Sequence, residues 1–143
     1  MIRKVEKCDY PEIARVMMRA FKQPPWNEDW QYQRAYQRIE QLDDGKYTRC
    51  YVYILDNKIV AVLCGKLITY VDDNELMIED FYVDPDYQRQ GIGGLLMEEV
   101  SKELDDVAYL TLLTGKEFYS VDFYRKNGFI VKDSLVFMYK SLK

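Results

Sequence analysis

Two adjacent carboxylates, Glu79 and Asp80, stand in the middle of an apolar run from Leu76 to Val83 that is predicted to be a β-strand. A carboxylate in such a place is costly unless it is paired or hydrated. Burial raises its pKa toward the value of a useful general base. Because neighbouring side chains leave a strand on opposite faces, at most one of the two faces a reacting group. Alternatively, either one is a structural partner of an Arg or Lys.

A second candidate site follows the strand, between Gln88 and Gly94. The pattern is that of a strand, a glycine-bearing turn and the N-terminus of a helix. The first amides of a helix have no internal partner and carry the positive end of its dipole. Glycines let a phosphate approach such amides closely. The segment predicts an anion site, unless Gly91 and Gly93 merely form a tight turn.

Several common chemistries are excluded by residue type. The segment lacks Gly-Lys-Ser/Thr, so it is not a nucleotide P-loop, and Leu96 replaces the third glycine of a dinucleotide fingerprint. The chain has no histidine, which excludes a Ser-His or Cys-His nucleophile. Its three cysteines form no CxxC pair, so no metal site is expected.

The sequence resembles the Gcn5-related N-acetyltransferase family, whose signature is Gln/Arg-x-x-Gly-x-Gly/Ala. Gln88, Gly91 and Gly93 match it, and a second family feature appears as Phe-Tyr-Arg-Lys-Asn-Gly-Phe at 123–129. The resemblance covers nearly the whole chain. One departure is Glu117, which stands where many members carry an Asn that touches the pantetheine arm.

The resemblance implies acetyl-CoA as the cofactor, held mostly by backbone groups. The strand before the loop would pair with the pantetheine arm like an added strand, and amides of the loop would hold the pyrophosphate. The implied cofactor-binding residues are Phe81, Tyr82, Val83, Gln88, Arg89, Gln90, Gly91, Ile92, Gly93 and Gly94.

Acetyl transfer to an amine requires a proton acceptor, because an alkyl amine with a pKa of roughly 10 arrives protonated at neutral pH. The resemblance to polyamine acetyltransferases with a Glu-Asp pair here favours Glu79 over Asp80 as the base. Tyr124 is the candidate acid that protonates the departing thiolate. The Val83 amide is expected to polarise the acetyl carbonyl.

The acceptor side is expected between residues 24 and 36, where Trp26, Glu28 and Trp30 are the candidate contacts. Aromatic faces and carboxylates suit an ammonium group. The segment is equally consistent with an ordinary amphipathic helix anchored by two tryptophans. A small-molecule amine is the expected partner, and a homodimer remains open.

The elements are predicted in the order β-α-α-β-β-β-α-β-α-β-β, a mixed α/β sheet that begins as a mostly antiparallel meander. The family fold adds a parallel pairing at the acetyl-CoA site. Capping residues are expected at Asp9 with Glu12, at Asn27, and at Thr114 with Glu117. The last two strands are predicted at 129–131 and 135–139. We expect one N-acetyltransferase domain over residues 1–143.

Composition narrows the class of protein. The net charge of −4 disfavours nonspecific binding to nucleic acid or to anionic membranes. An odd number of cysteines and the lack of a long apolar run predict a cytoplasmic protein without a signal peptide or membrane span. Two rival functions stay open at this point. One is a non-catalytic acyl-CoA sensor, and the other is an acetyltransferase that acts on protein N-termini or lysines.

Overall fold

A computed structural model describes all residues from 1 to 143. The chain divides into two compact units, Met1–Leu113 and Thr114–Lys143. The first unit holds a five-stranded sheet and three helices, and the second holds one short helix. None of the helices is both long and apolar enough to cross a membrane. The expectation of a single domain over the whole chain stays a prediction.

The sheet is mixed, as predicted. Its strands lie in chain order, with antiparallel pairing from the first strand to the fourth and parallel pairing between the fourth and fifth. The strands are β1 (Ile2–Lys4), β2 (Thr48–Leu55), β3 (Lys58–Thr69), β4 (Asn74–Val83) and β5 (Tyr109–Leu112).

The turn between β2 and β3 explains why the sequence predicts an antiparallel meander here. Asp56 and Asn57 both adopt positive φ angles, 51° and 61°. Asp and Asn tolerate this left-handed region better than most side chains, and two such residues make the tight hairpin turn that suits the twist of a sheet.

Two helices, α1 (Tyr10–Lys22) and α2 (Tyr32–Leu42), cover one face of the sheet. Their apolar stripes pack on alternate residues of the central strands, which together form the main core. The fully buried members include Ile13, Met17, Val52, Val62 and Cys64. Burial of such side chains contributes roughly 1.5–3 kcal/mol each to folding.

The third helix, α3 (Ile92–Glu103), packs on the opposite side of β2 and β3. Its buried stripe includes Leu96 and Val100, neither of which is exposed. The strand residues that alternate with the main core, such as Tyr51 and Leu63, are buried here. The sheet is therefore covered on both faces, and α3 is fixed directly behind the loop that precedes it.

A β-bulge interrupts β4 at Glu79. Asp80 pairs with Cys64 and Ile78 pairs with Gly65, so Glu79 has no partner on β3. Gly65 is required at this point because an added Cβ would lie 2.8 Å from Leu76 Cγ and 3.0 Å from the Met77 carbonyl oxygen. A bulge re-aims the side chains around it.

Asp9 is the N-cap residue of α1, as predicted, but the predicted capping box with Glu12 is wrong. Asp9 makes no capping bond to α1. Its carboxylate accepts from the Glu6 amide at 2.8 Å and pairs with Arg3 at 2.7 Å. Glu12 accepts from the Ile59 amide at 2.9 Å, across to β3. Glu12 therefore makes a tertiary contact that local spacing does not reveal, whereas Asp9 bonds to residues that precede it by three and six positions.

The predicted cap at Asn27 is also wrong. Asn27 has a positive φ of 50°, and α2 is preceded by Gln31 as its N-cap. Trp26, Glu28 and Trp30 consequently lie in the connection between the two helices and not on a helix.

The second unit contains α4 (Ser120–Lys126). The predicted box of Thr114 and Glu117 does not cap it, because α4 starts later and the Thr114 hydroxyl lies 2.8 Å from the Ser120 hydroxyl. The two final strands predicted at 129–131 and 135–139 are absent from the structure. Their side chains are largely exposed, with Phe137 at 72%.

Candidate functional site

The fourth strand leaves its parallel neighbour in the middle of its length. Pairing between β4 and β5 ends at Ile78 with Leu112, whereas pairing with β3 continues to Val83. The Asp84 amide donates to the Val60 carbonyl at 2.7 Å, across to β3. Because successive amides of a strand point to opposite sides, the Val83 amide points away from β3. This edge of β4 can accept an extended ligand.

A single 3-10 turn, Pro85–Tyr87, joins this edge to the predicted anion site between Gln88 and Gly94, here called the anion loop. The Gln88 side-chain amide donates back to the Val83 carbonyl at 3.0 Å, which ties the loop to the end of β4. Arg89 and Gly91 then take positive φ angles of 62° and 79°. Gly91 is the N-cap of α3, so the chain turns sharply into the helix.

The loop presents a run of backbone donors. None of the amides from Arg89 to Gly94 donates to another group of the chain, and the first bond of the turn is from Leu95 to the Gly91 carbonyl at 3.1 Å. Free amides at a helix N-terminus, together with the helix dipole, form an anion site. The predicted residues 88–94 thus lie together at the start of α3, and the amides of 89–94 suit a phosphate-sized anion.

The carboxylates Glu79 and Asp80 differ sharply in environment. Glu79 is exposed, whereas Asp80 is only 7% exposed. The burial expected for the base therefore belongs to Asp80. Strict alternation of side chains between the two faces holds only in a regular strand, and the bulge at Glu79 breaks that regularity. The charge of Glu79 acts on both Asp80 and Arg38, so the three groups are near one another.

Asp80 is committed to an ion pair that the sequence could not identify. Arg38 of α2 donates to it through Nε and Nη2, with contacts of 2.7 to 3.1 Å. Burial raises the pKa of Asp80, and the bonds from Arg38 oppose that rise. The alternative interpretation, a structural partner for an Arg or Lys, thus fits Asp80. Glu79 forms no ion pair.

Replacing Arg38 by Met is expected to lower the free energy of unfolding at pH 7, because it leaves the Asp80 carboxylate buried without a partner. The loss should lie at the lower end of about 3–5 kcal/mol, since the Arg38 side chain is 36% exposed. Urea unfolding of the variant and the wild type measures this difference.

The free energy of unfolding that Arg38→Met loses should be smaller at pH 5 than at pH 7. The pKa of Asp80 is raised in the folded state, so the native state holds this proton to higher pH and stability from this group falls as pH rises. Without Arg38 the pKa rises further, and at pH 5 more of the carboxyl is neutral. Arg49→Met, which breaks a pair with the 46% exposed Asp106, is the control. An Arg38→Met loss that is the same at both pH values would contradict this account.

Two of the three residues predicted for the acceptor side lie beside this pair. The Arg38 guanidinium stacks over the Trp30 ring at 5.8 Å, and the Trp30 indole N–H donates to Glu28 at 2.9 Å. The charge of Glu28 also acts on Asp80. Glu28 and Trp30 line an open cleft of about 380 Å³ together with Asp29, Gln31 and Arg34.

Trp26, the third of these residues, has a packing contact instead. Its ring meets Phe21 edge-to-face at 5.5 Å, and Phe21 meets Tyr82 at 5.4 Å. These contacts anchor the connection between α1 and α2 to the sheet. The lining of the cleft does not include Trp26.

The C-terminal cap of α4 fixes the position of the Tyr124 ring. Gly128 has a φ of 91°, the Gly128 amide donates to Arg125 at 3.1 Å, and the Phe129 amide donates to Tyr124 at 3.0 Å. This is a Schellman motif, and its usual apolar contact is present as an edge-to-face meeting of the Tyr124 and Phe129 rings at 5.3 Å. The segment from 123 to 129 thereby fixes the Tyr124 ring within the second unit.

Two arginines next to the candidate residues were missed by the sequence analysis. Arg38 pairs with Asp80, and Arg19 of α1 pairs with Asp84, which follows β4. The sequence separations are 42 and 65 residues. The only available signal was the cost of burying Asp80, which requires a cation without indicating which one.

Comparison with known families identifies one match. The model of the acetyltransferase (GNAT) family matches residues 11–129, which is most of the chain. No curated protein matches the sequence.

Solved structures with this fold include several acetyltransferases. A possible acetyltransferase from Clostridium difficile 630 superimposes with a TM-score of 0.84 at 20% identity, covering 100% of this chain and 98% of that one. An aminoglycoside acetyltransferase from an uncultured soil metagenomic sample, solved with sisomicin, gives 0.76 at 22% identity and covers 100% and 96%. An aminoglycoside 6′-N-acetyltransferase from Acinetobacter haemolyticus gives 0.75 at 16% identity and covers 100% and 99%. At these identities the likeness concerns the fold.

Proposed function

Because this chain belongs to the acetyltransferase (GNAT) family, we propose that it transfers the acetyl group of acetyl-CoA to a primary amine by direct attack. The observation that carries the proposal is the row of backbone amides from Arg89 to Gly94, none of which donates within the chain. These amides suit the pyrophosphate of the cofactor. The neighbouring edge of β4, from Phe81 to Val83, suits the extended pantetheine arm.

Acetyl-CoA supplies an activated thioester, so the protein itself needs no nucleophile. The Val83 amide, which points away from β3, would donate to the acetyl oxygen and stabilise the negative charge that develops there. The bulge residue Glu79 would accept the proton of the incoming amine. Asp80 is unsuited to that role, because three hydrogen bonds commit it to Arg38.

Tyr124 is proposed as the acid that protonates the departing thiolate. Tyr124→Phe should lower kcat on the order of a hundredfold while leaving the affinity for acetyl-CoA largely intact, since the phenolic proton matters mainly in the transition state. Steady-state kinetics and calorimetry measure the two quantities. Tyr139→Phe removes a hydroxyl from an 84% exposed ring of the same unit and is the control. An unchanged kcat for Tyr124→Phe would mean that Tyr124 is structural or that water supplies the proton.

The acceptor is proposed to be a small cationic amine that enters beside Glu28 and Trp30. The Trp30 ring and the Glu28 carboxylate line the cleft, and Glu28 has no ion-pair partner. Glu28 accepts from the Trp30 indole N–H, and its negative charge attracts an ammonium group. The Arg38 guanidinium over the Trp30 ring shows that this ring already binds a cation. The aminoglycoside acetyltransferases with the same fold favour the same class of acceptor.

The cofactor assignment is tested by thermal unfolding with and without CoA. A ligand that binds only the native state stabilises it by about 2.7 kcal/mol at a hundredfold excess over Kd. We expect a clear rise in Tm. An unchanged Tm at millimolar CoA would reject the assignment.

The reaction is tested by thiol release from acetyl-CoA across polyamines, aminoglycosides, amino acids and basic peptides. Turnover with one of the small amines is the expected result. CoA binding without turnover would instead indicate the non-catalytic acyl-CoA sensor. Turnover with basic peptides alone would indicate an acetyltransferase that acts on protein N-termini or lysines.

A further inference from the structure

Two polar contacts connect helix α1 to the end of the sheet that precedes the anion loop. Glu12 accepts from the Ile59 amide at 2.9 Å, and Arg19 donates to the Asp84 carboxylate. The two helix residues are seven positions apart, which places them on one face two turns from each other. Ile59 and Asp84 are neighbours across the sheet, since the Asp84 amide bonds to Val60.

Asp84 contacts both Arg19 of α1 and the turn that leads to the anion loop. Its side chain is only 6% exposed, and Arg19 is its ion-pair partner. Its second oxygen, Oδ1, accepts from the Asp86 amide at 3.0 Å, and its carbonyl accepts from the Tyr87 amide at 2.8 Å. The single turn that leads to Gln88 is thus built on Asp84. Removing Arg19 would leave this buried carboxylate without its cation, which is costly and favours its displacement toward water.

We propose that Arg19 and Asp84 are positioning residues that aim the loop amides at the pyrophosphate of acetyl-CoA. The inference rests on the proposed function. Arg19 acts through Asp84 and does not touch the cofactor. Six amides bind one anion strongly only when their N–H groups converge, so a small displacement of the turn weakens all of them together. The effect belongs to the binding of the phosphate end and not to the chemical step.

The test compares two ligands that differ in the pyrophosphate. Arg19→Met and Asp84→Asn should each weaken CoA binding by on the order of ten- to a hundredfold. Each should leave kcat/KM for acetyl-pantetheine, which lacks the pyrophosphate, within about twofold of wild type. Calorimetry gives the first quantity, and thiol release with an acceptor found in the screen gives the second. Equal losses with both ligands would overturn the proposal.

Arg15→Met is the matched control. Arg15 lies one turn before Arg19 on the same helix, and its guanidinium stacks on Tyr32 at 5.4 Å. Its replacement removes the same charge without touching Asp84, and CoA affinity should stay within about twofold of wild type. A loss as large as that of Arg19→Met would mean that only long-range charge is involved, which overturns the proposal.

A double-mutant cycle separates positioning from direct contact. If Arg19 acts through Asp84, adding Arg19→Met to Asp84→Asn should weaken CoA binding little further. If Arg19 contacts the cofactor, the full loss should appear in both backgrounds, and the proposal fails. Should Arg19→Met not fold, Arg19→Lys replaces it with a smaller expected loss. A wild-type protein that binds no CoA would reject the proposed function itself, whereas wild-type binding with unaffected variants would reject this inference alone.

Discussion

Glu79→Gln is expected to lower kcat/KM by roughly ten- to a thousandfold near neutral pH, the range of a lost general base. Glu79 sits at the bulge, is exposed, and forms no ion pair. It is therefore available to an incoming ammonium group at the point where β4 leaves β5. Gln keeps the size of Glu and some of its hydrogen bonding, so the change should leave stability almost unaltered. Steady-state kinetics with acetyl-CoA and an amine from the screen measure the loss.

The loss should shrink as pH rises toward the pKa of the acceptor amine, roughly 10. A base matters only while the amine arrives protonated, and at high pH the free amine is abundant. The pH profile of kcat/KM for wild type and Glu79→Gln should therefore converge at alkaline pH. A loss of constant size across the profile would show that Glu79 acts in binding and not as a base.

Two control variants make this test specific. Glu75→Gln makes the same change on β4 before the bulge and should leave kcat/KM within about twofold of wild type. Asp80→Asn should reduce activity less than Glu79→Gln, although it alters the pair with Arg38. If Asp80→Asn is the more damaging and its loss depends on pH, then Asp80 is the base. If neither loss depends on pH, the enzyme works by proximity and carbonyl polarisation alone.

Gly91→Glu is expected to abolish the stabilisation of the fold by CoA. Gly91 has a φ of 79°, which costs other residues about 1–2 kcal/mol. The new carboxylate would also occupy the amide cradle and repel the pyrophosphate. We expect CoA affinity to fall by more than about a hundredfold, the factor that roughly 2.7 kcal/mol represents.

Thermal unfolding checks this prediction directly. At a CoA concentration of a hundred times the wild-type Kd, the wild type gains about 2.7 kcal/mol and the variant less than about 0.4 kcal/mol. Gly45→Glu is the control, because no atom lies within 4 Å of a Cβ added there and its φ is not positive. It adds the same charge and should leave the CoA shift unchanged. If CoA stabilises Gly91→Glu as much as wild type, the assignment of the cofactor to this loop is wrong.

The parts of the fold that follow from local pattern could be predicted. The hairpin at Asp56 and Asn57 depends on two residues that tolerate positive φ. The anion loop depends on Gly91 and on the amphipathic helix that follows it. In both cases the decisive interactions lie within a few residues of one another, so spacing and residue type contain the information.

The parts that depend on distant partners could not be predicted. Glu12 has the spacing that completes a capping box with Asp9, but its carboxylate bonds to the Ile59 amide, 47 residues along the chain. The bulge at Glu79 arises from pairing with β3, which the sequence of β4 alone does not contain. For the same reason the sequence of β4 could not show that Glu79 is exposed and Asp80 is buried.

The C-terminal segment shows the limit of apolar pattern. Leu135 to Tyr139 has the composition of a strand, yet it pairs with no other segment, and its side chains are 72% to 84% exposed. A strand exists only through its neighbours, since its hydrogen bonds are made between segments. The amino-acid composition of a segment indicates a preference for β-strand. It does not show whether another segment is available to pair with it.

The close contact at the bulge ties two positions together in evolutionary terms. A side chain at Gly65 would collide with Leu76 and with the backbone at Met77. A lineage that acquires a larger residue at 65 must therefore shorten the side chain at 76 and shift the strand as well, and neither first step is neutral. Substitutions at 65 and 76 should consequently appear as a pair or not at all, and the bulge that presents Glu79 should be inherited as a unit.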